Sequence, residues 1–221
     1  MADVSERQLH LVRHGEVENP DQVLYGRIPG FRLSEKGHEM ALAAAKELSS
    51  KNQQIAALYA SPLERAQQSA APISKLLDLK VETEEGIIEP TNWFEGMVNN
   101  GPDAAFKNPK YWYKFWNPFL PSWGEPYRSV ANRVIAAMDR VWEDATLNNK
   151  QGDIVMVSHQ SPIWMAHRAI AQKPLFHNPS KRRCDLSSIT SFTKRDGDWI
   201  EVNYRNPAGH LLDGAIDVGA V

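Results

Sequence analysis

The chain has 221 residues, long for one α/β domain and short for two, and its 42% hydrophobic content suffices for a substantial core. Its 25 basic and 27 acidic side chains give a formal charge of −2, which excludes a global field that would recruit nucleic acid or an anionic membrane; any anion site must be local. Cys184 is the single cysteine, no His/Cys cluster has the spacing of a structural zinc site, and no stretch approaches the roughly 20 apolar residues of a membrane span, so one cytoplasmic domain over residues 1–221 is expected.

In chain order, residues 8–13 read as a first strand, and "LSEKGHEMALAAAKELSS" as a helix capped by Ser34, with Met40, Ala41, Ala44, Ala45 and Leu48 on one face. "IAALYAS" reads as a second strand. "PLERAQQSAAPISKLL" reads as a helix with Pro62 at its first position and a kink or interruption expected at Pro72. "LKVETEE" is a third, edge-like strand. An amphipathic helix follows over "SVANRVIAAMDRVWEDA", then the strand "DIVMVSH", the helix "SPIWMAHRAIA" and a hairpin that turns at Asp196-Gly197. Strands alternating with helices imply a largely parallel sheet covered on both faces, with the late hairpin supplying antiparallel strands.

In such sheets the reactive crevice lies beyond the carboxyl ends of the strands. "LHLVRHG" and "DIVMVSH" each deliver a histidine there, His14 and His159. Arg13 precedes the first, and Arg65 falls in the first turn of the helix after "YAS". A lone histidine at a strand end is usually structural, and an arginine in a first helical turn is usually a solvated charge. Their coincidence at three strand ends favours a cationic cup.

"RHGEVEN" (13–19) resembles the Arg-His-Gly-Glu-x-x-Asn signature of the histidine phosphatase superfamily, which includes the cofactor-dependent phosphoglycerate mutases. The resemblance continues in order through "YGRIPGFRLSEKG" (25–37), "YASPLERAQQSA" (59–70), "GEPYRSVANR" (124–133) and "VSHQSPI" (157–163). It implies a three-layer α/β/α fold and a phosphohistidine mechanism; the catalytic chemistry expected here needs no metal, and no cofactor is expected.

Arg13 and Arg65 suit the neutralisation of a phosphomonoester dianion, because a guanidinium is always charged and presents paired donors. His14 is the expected nucleophile, with its second nitrogen held by a carbonyl in the turn at Gly15, whose missing side chain allows close backbone approach. His159 is expected to donate to a phosphoryl oxygen and, if protonated, to add positive charge.

One carboxyl group can protonate the leaving oxygen and then activate water. The family's glutamate after the third strand aligns with Glu89 in "GIIEPTNWFEG", where the spacing is about one residue shorter than the family's; Glu95 is the rival and Glu16 a weaker one. Asn19, Tyr25, Gly26 and Gln160 are grouped with the substrate-binding residues, and Ser61 is either a support for the site or a helix cap.

The insertion at about 91–127 departs most from the family, and its segment 108–127 is rich in aromatics and prolines. It reads as a lid using Trp112, Trp116 and Trp123, as a satellite core, or as a homodimer interface. Arg27, Arg32 and "KRR" (181–183) offer sites for a second anionic group. Mutase relatives carry a Tyr and Lys after the catalytic glutamate and an Arg-Arg pair in the insertion; these are missing here, and "SHQSP" departs from the mutase-like "HGNS". A phosphatase acting on a small phosphomonoester is therefore preferred over a mutase, with a non-catalytic phosphate-binding scaffold as the third reading.

Overall fold

A computed structural model describes residues 6–50, 54–98, 108–115 and 123–217. Six strands form one sheet: β1 (Leu9–Arg13), β2 (Ile55–Ala60), β3 (Val81–Thr83), β4 (Asp153–Ser158), β5 (Ile189–Arg195) and β6 (Asp198–Arg205), in the order β3-β2-β4-β1-β5-β6. The β3, β2, β4 and β1 neighbours run parallel, and β5 and β6 add the antiparallel hairpin. Strands β1 and β4 lie at the centre and are buried along their whole length, which is why their sequences are near-continuous apolar runs. The outer strands β3 and β6 carry exposed polar residues such as Glu82 and Asn203, as edges that resist further pairing do.

Successive residues of each strand face opposite layers. On one face, Val12, Leu58, Ala60, Val155, Val157 and Ile189 meet α1 (Glu35–Ser49) and α2 (Glu64–Leu77) through Ala44, Leu48, Ala66, Ala70 and Ile73. On the other, Leu9, Leu11, Tyr59, Ile154, Met156 and Phe192 meet α3 (Tyr127–Leu147) and α4 (Gln160–Ile170). The result is the expected three-layer α/β/α sandwich.

Ser34 caps α1, its side chain accepting from the Gly37 N–H at 3.0 Å. Two details of α2 differ from expectation. Its cap residue is Leu63, so Pro62 precedes the helix instead of opening it, and the helix runs through Pro72 to Leu77. Pro72 removes one backbone donor, but Ala66, Ala70 and Ile73 seat the helix on the sheet on both sides of that gap.

Part of the aromatic insertion forms a small separate cluster, in which Tyr111, Trp123 and Met97 pack against Leu24 and Phe94. Trp112 is 60% exposed, and Trp116 lies outside the described residues. Among the described residues no helix is long and apolar enough to cross a membrane.

Candidate active site

Three adjacent parallel strands end side by side. Arg13 at the end of β1 is level with Ser158 at the end of β4, and Ala60 at the end of β2 is level with Val157. The next residues out are therefore His14, His159 and Ser61, locked together by His14 N–H donating to Ser158 O at 3.0 Å and Ser61 N–H to Val157 O at 2.9 Å. Arg65 reaches the same place from the first turn of α2.

The His14 and His159 rings meet edge to face, with centroids 5.2 Å apart and planes at 61°. His14 Nδ1 lies 2.7 Å from Gly15 O, so it carries the proton and donates it, leaving Nε2 with a lone pair. Burial, and then the charges of Arg65 and Arg13, hold the His14 pKa well below its ordinary 6.5. Gly15 is required here: a Cβ would meet Gly37 O at 2.3 Å, where the turn crosses the start of α1. The Gly15 N–H donates to Ser69 Oγ at 3.1 Å, and Ser69 donates to Arg65 O at 2.8 Å, which ties this turn to α2.

His159 Nε2 is 2.7 Å from Ser61 Oγ. Ser61 thus contacts the second histidine and does not cap α2. His159 Nδ1 is buried without a hydrogen-bond partner, 3.9 Å from Glu89 Oε2. Burial first, and the nearby Arg65, His14 and Arg13 after it, also push the His159 pKa well below 6.5. Protonation of His159 is therefore disfavoured, so it offers a donor without a charge.

Both arginines are buried, Arg13 at 0% and Arg65 at 1% exposure, which removes the solvated-charge reading. Arg65 Nη2 donates to Gly26 O at 2.7 Å, and its guanidinium carbon sits 4.7 Å from the centre of the Tyr25 ring. Arg13 Nη1 donates to Cys184 O at 2.7 Å and to Asp217 Oδ2 at 2.8 Å, and Nη2 donates to Asp217 Oδ1. The Nε of each arginine is buried and unpartnered.

Glu89 is 1% exposed, and neither of its carboxyl oxygens has a hydrogen-bond partner. Burial raises its pKa above the ordinary 4.5 against the opposing pull of Arg65, Arg182, Arg13 and Arg133. Arg27 fixes its backbone, donating from Nε to Glu89 O at 2.5 Å.

The rival carboxylates are otherwise engaged. Glu95 accepts from Asn92 N–H at 3.1 Å and lies beneath Gly26, where an added Cβ would meet its Oε1 at 2.2 Å. Glu16 accepts from Ser34 Oγ and from Ile216 N–H.

Asn19 staples its own loop, donating to Val23 O at 2.9 Å and accepting from Val23 N–H at 3.1 Å, the bonds of a turn former. Tyr25 and Gly26 touch Arg65, as above. Gln160 Oε1 accepts from Arg182 Nη1 at 3.1 Å, and Arg182 Nε bonds His177 at 2.9 Å. Of the other outlying cations, Arg27 also lies 3.5 Å from Glu125, Arg183 pairs with Glu201, and Arg32 is exposed.

Ser69 and Asp217 escaped the sequence reading. Ser69 lies one helical turn after Arg65, a spacing that could have flagged it, whereas Asp217 is remote in sequence from its partner and carries no local signal.

A three-layer α/β/α sandwich whose single sheet ends in two adjoining imidazoles with buried guanidiniums nearby has the arrangement expected of a histidine phosphatase-type protein. The chain belongs to the histidine phosphatase superfamily (branch 1), whose family model matches residues 9–207. It is 45% identical over 204 residues to an uncharacterised protein of Mycobacterium tuberculosis, covering 92% of this chain and 98% of that one. Phosphoserine phosphatase 1 of Hydrogenobacter thermophilus is 31% identical over 162 residues, 71% of this chain and 72% of the relative. Among solved structures, a mutant phosphoserine phosphatase of Entamoeba histolytica in complex with phosphoserine superposes with a TM-score of 0.69 at 25% identity, covering 93% of this chain and 100% of that one. The superfamily neighbours thus include phosphatases whose ligands are small phosphorylated molecules.

Proposed function

We propose that this protein hydrolyses a phosphomonoester through a phosphohistidine on His14, with Glu89 as the proton carrier. The observation that carries the reading is the pairing of a neutral His14, its Nδ1 proton tied to Gly15 O, with a buried, unpartnered Glu89 carboxyl across the same cup. In the first step His14 Nε2 forms a bond to phosphorus as the ester P–O bond breaks, and the protonated Glu89 gives its proton to the departing oxygen. In the second, Glu89 takes a proton from water, whose oxygen attacks phosphorus; the P–N bond breaks, inorganic phosphate leaves, and His14 and Glu89 return to their starting states.

The cup's donors serve the transferring group. The orphaned Nε groups of Arg13 and Arg65 are free to bond phosphoryl oxygens, and the His159 Nδ1–H donates to a third once Ser61 O–H donates to Nε2 and fixes that tautomer. Tyr25 and Gly26 hold Arg65, whereas Asn19 shapes the loop that precedes them and Gln160 contacts Arg182. No step calls for a metal or a cofactor.

Phosphoserine, the substrate named by two of the similar proteins, is the first candidate to assay, because Arg27 and Arg182 add positive charge beside Glu89, where the alcohol part of a substrate would lie. The test is phosphate release from p-nitrophenyl phosphate and from a panel of phosphorylated metabolites, with His14→Ala as the control. Conversion of 3-phosphoglycerate to 2-phosphoglycerate with a bisphosphoglycerate primer is measured alongside. Hydrolysis that disappears in His14→Ala is expected; mutase turnover exceeding hydrolysis would overturn the assignment.

A further inference from the structure

We infer that Asp217 is a positioning residue for phosphate recognition: its carboxylate grips one edge of the Arg13 guanidinium and so aims the other edge into the cup. The inference rests on the proposed reading of that cup as a phosphoryl site.

A guanidinium is planar and has five N–H donors. In Arg13, both Nη1 protons are engaged, one by Cys184 O at 2.7 Å and one by Asp217 Oδ2 at 2.8 Å, and Nη2 gives one proton to Asp217 Oδ1. Two donors remain, Nε–H and the second Nη2–H, and they point in parallel from the edge that Asp217 does not occupy. That edge is enclosed: the Arg13 side chain is wholly buried and its Nε has no partner. Two parallel N–H groups on one edge match two oxygens of a phosphoryl group.

Among the described residues Asp217 bonds Arg13 alone, so its carboxylate is committed to this one guanidinium. The segment carrying it is also anchored. Ile216 N–H donates to Glu16 Oε1 at 2.7 Å, and Lys36 Nζ donates to Asp213 O at 2.9 Å. Leu211, Leu212 and Ala215 pack beside Met40, Leu186 and Ala208. Glu16, which follows the catalytic turn, and the first turn of α1 therefore hold the strap that supplies the carboxylate. Without Asp217, Arg13 would keep Cys184 O as its single fixed acceptor, and the plane of its guanidinium would no longer be set.

The experiment measures inorganic phosphate affinity by titration calorimetry in the full chain and in Asp217→Ala, Asp217→Asn and Asp217→Glu, together with thermal midpoints and the kcat and KM for p-nitrophenyl phosphate. Asp217→Ala and Asp217→Asn are expected to weaken phosphate binding about tenfold and to lower kcat/KM in parallel, with Asp217→Glu recovering most of the loss. Asp217→Ala leaves the buried Arg13 charge without its carboxylate, so its midpoint is expected to fall; Asp217→Asn and Asp217→Glu, which keep an acceptor, separate that loss from the loss of phosphate affinity. Unchanged phosphate affinity in the isosteric Asp217→Asn would overturn the inference, and tighter binding would overturn it by showing that the carboxylate competes with the anion. Phosphate binding needs no turnover, so hydrolysis persisting in His14→Ala would defeat the phosphohistidine reading separately.

Discussion

Glu89 and Glu95 carry the same functional group in different surroundings, and those surroundings decide what each can do. Glu89 is sealed in the cup with no hydrogen-bond partner, whereas Glu95 braces the loop that carries Gly26 and accepts from Asn92. Glu89→Gln is expected to slow turnover of p-nitrophenyl phosphate by about 10²–10⁴-fold, the usual range for losing a positioned acid-base group, and Glu95→Gln to change it far less. Steady-state kinetics of the two variants check this, and comparable small effects would place the proton carrier elsewhere. The same pair predicts the shape of the pH profile. Burial and the flanking arginines lower the His14 pKa, so activity should persist below pH 6.5, where an ordinary imidazole would be protonated and unable to attack. Burial raises the Glu89 pKa above 4.5, so the alkaline fall in kcat/KM should follow loss of its proton and vanish in Glu89→Gln. At this scale the sequence was informative through coincidence: Arg13, His14, Arg65 and His159 are each ambiguous alone, but they fall at or just after the ends of three strands. Spacing alone could not separate Glu89 from Glu95, because the difference between them is burial.

The turn after β1 works because two glycines let backbones touch. A Cβ on Gly15 would lie 2.3 Å from Gly37 O, and one on Gly37 would lie 2.0 Å from Glu16 O. Gly15→Ala must push α1 away from the turn that carries His14, an overpacking expected to cost about 1–3 kcal/mol in urea unfolding. Activity should fall further than stability does, because His14 and the first turn of α1 move apart together. Unchanged stability and kinetics would show that the contact is softer than its geometry implies. Periodicity marked α1 and α3 well, since each buries one apolar stripe against the sheet, whereas α4 is buried at every position from Ser161 to His167 and shows no such stripe. At α2, Pro62 falls just before the helix, and the interruption expected as one outcome at Pro72 does not occur, because the sheet contacts of Ala66, Ala70 and Ile73 on both sides carry the helix through it. The aromatic insertion was harder to read because tryptophans suit a lid and a satellite core alike; Tyr111 and Trp123 pack with Leu24 and Phe94, while Trp112 stays exposed.

Over the whole molecule, the sheet order places β4 between β2 and β1, so that segments distant in sequence finish at one edge of the sandwich. Alternating strands and helices made the layers and this crevice legible. The Arg13–Asp217 contact was not, because it depends on where a late segment docks and leaves no local pattern. Burying these ionisable groups ties folding to pH. His14 and His159 are held neutral in the fold while the unfolded chain takes up protons near pH 6.5, so their contribution to stability is present above that value and is lost as pH falls through the lowered folded values. Glu89 acts in the opposite sense: its contribution is present below pH 4.5 and is lost as pH rises through its raised folded value. Urea unfolding across pH 4 to 8 should show a shallower acid-side loss in His14→Asn, and in Glu89→Gln a gain over the parent that is larger at neutral pH than at pH 4; parallel curves for all three proteins would contradict these assignments.

A covalent phosphoryl group on His14 is detectable by rapid quenching into alkaline denaturant followed by peptide mass spectrometry. During turnover of p-nitrophenyl phosphate, whose leaving group departs without a proton from Glu89, the peptide containing His14 should carry the phosphoryl adduct, with more of it in Glu89→Gln, where water activation is impaired, and none in His14→Ala. An adduct on another residue, or undiminished hydrolysis by His14→Ala, would contradict the mechanism.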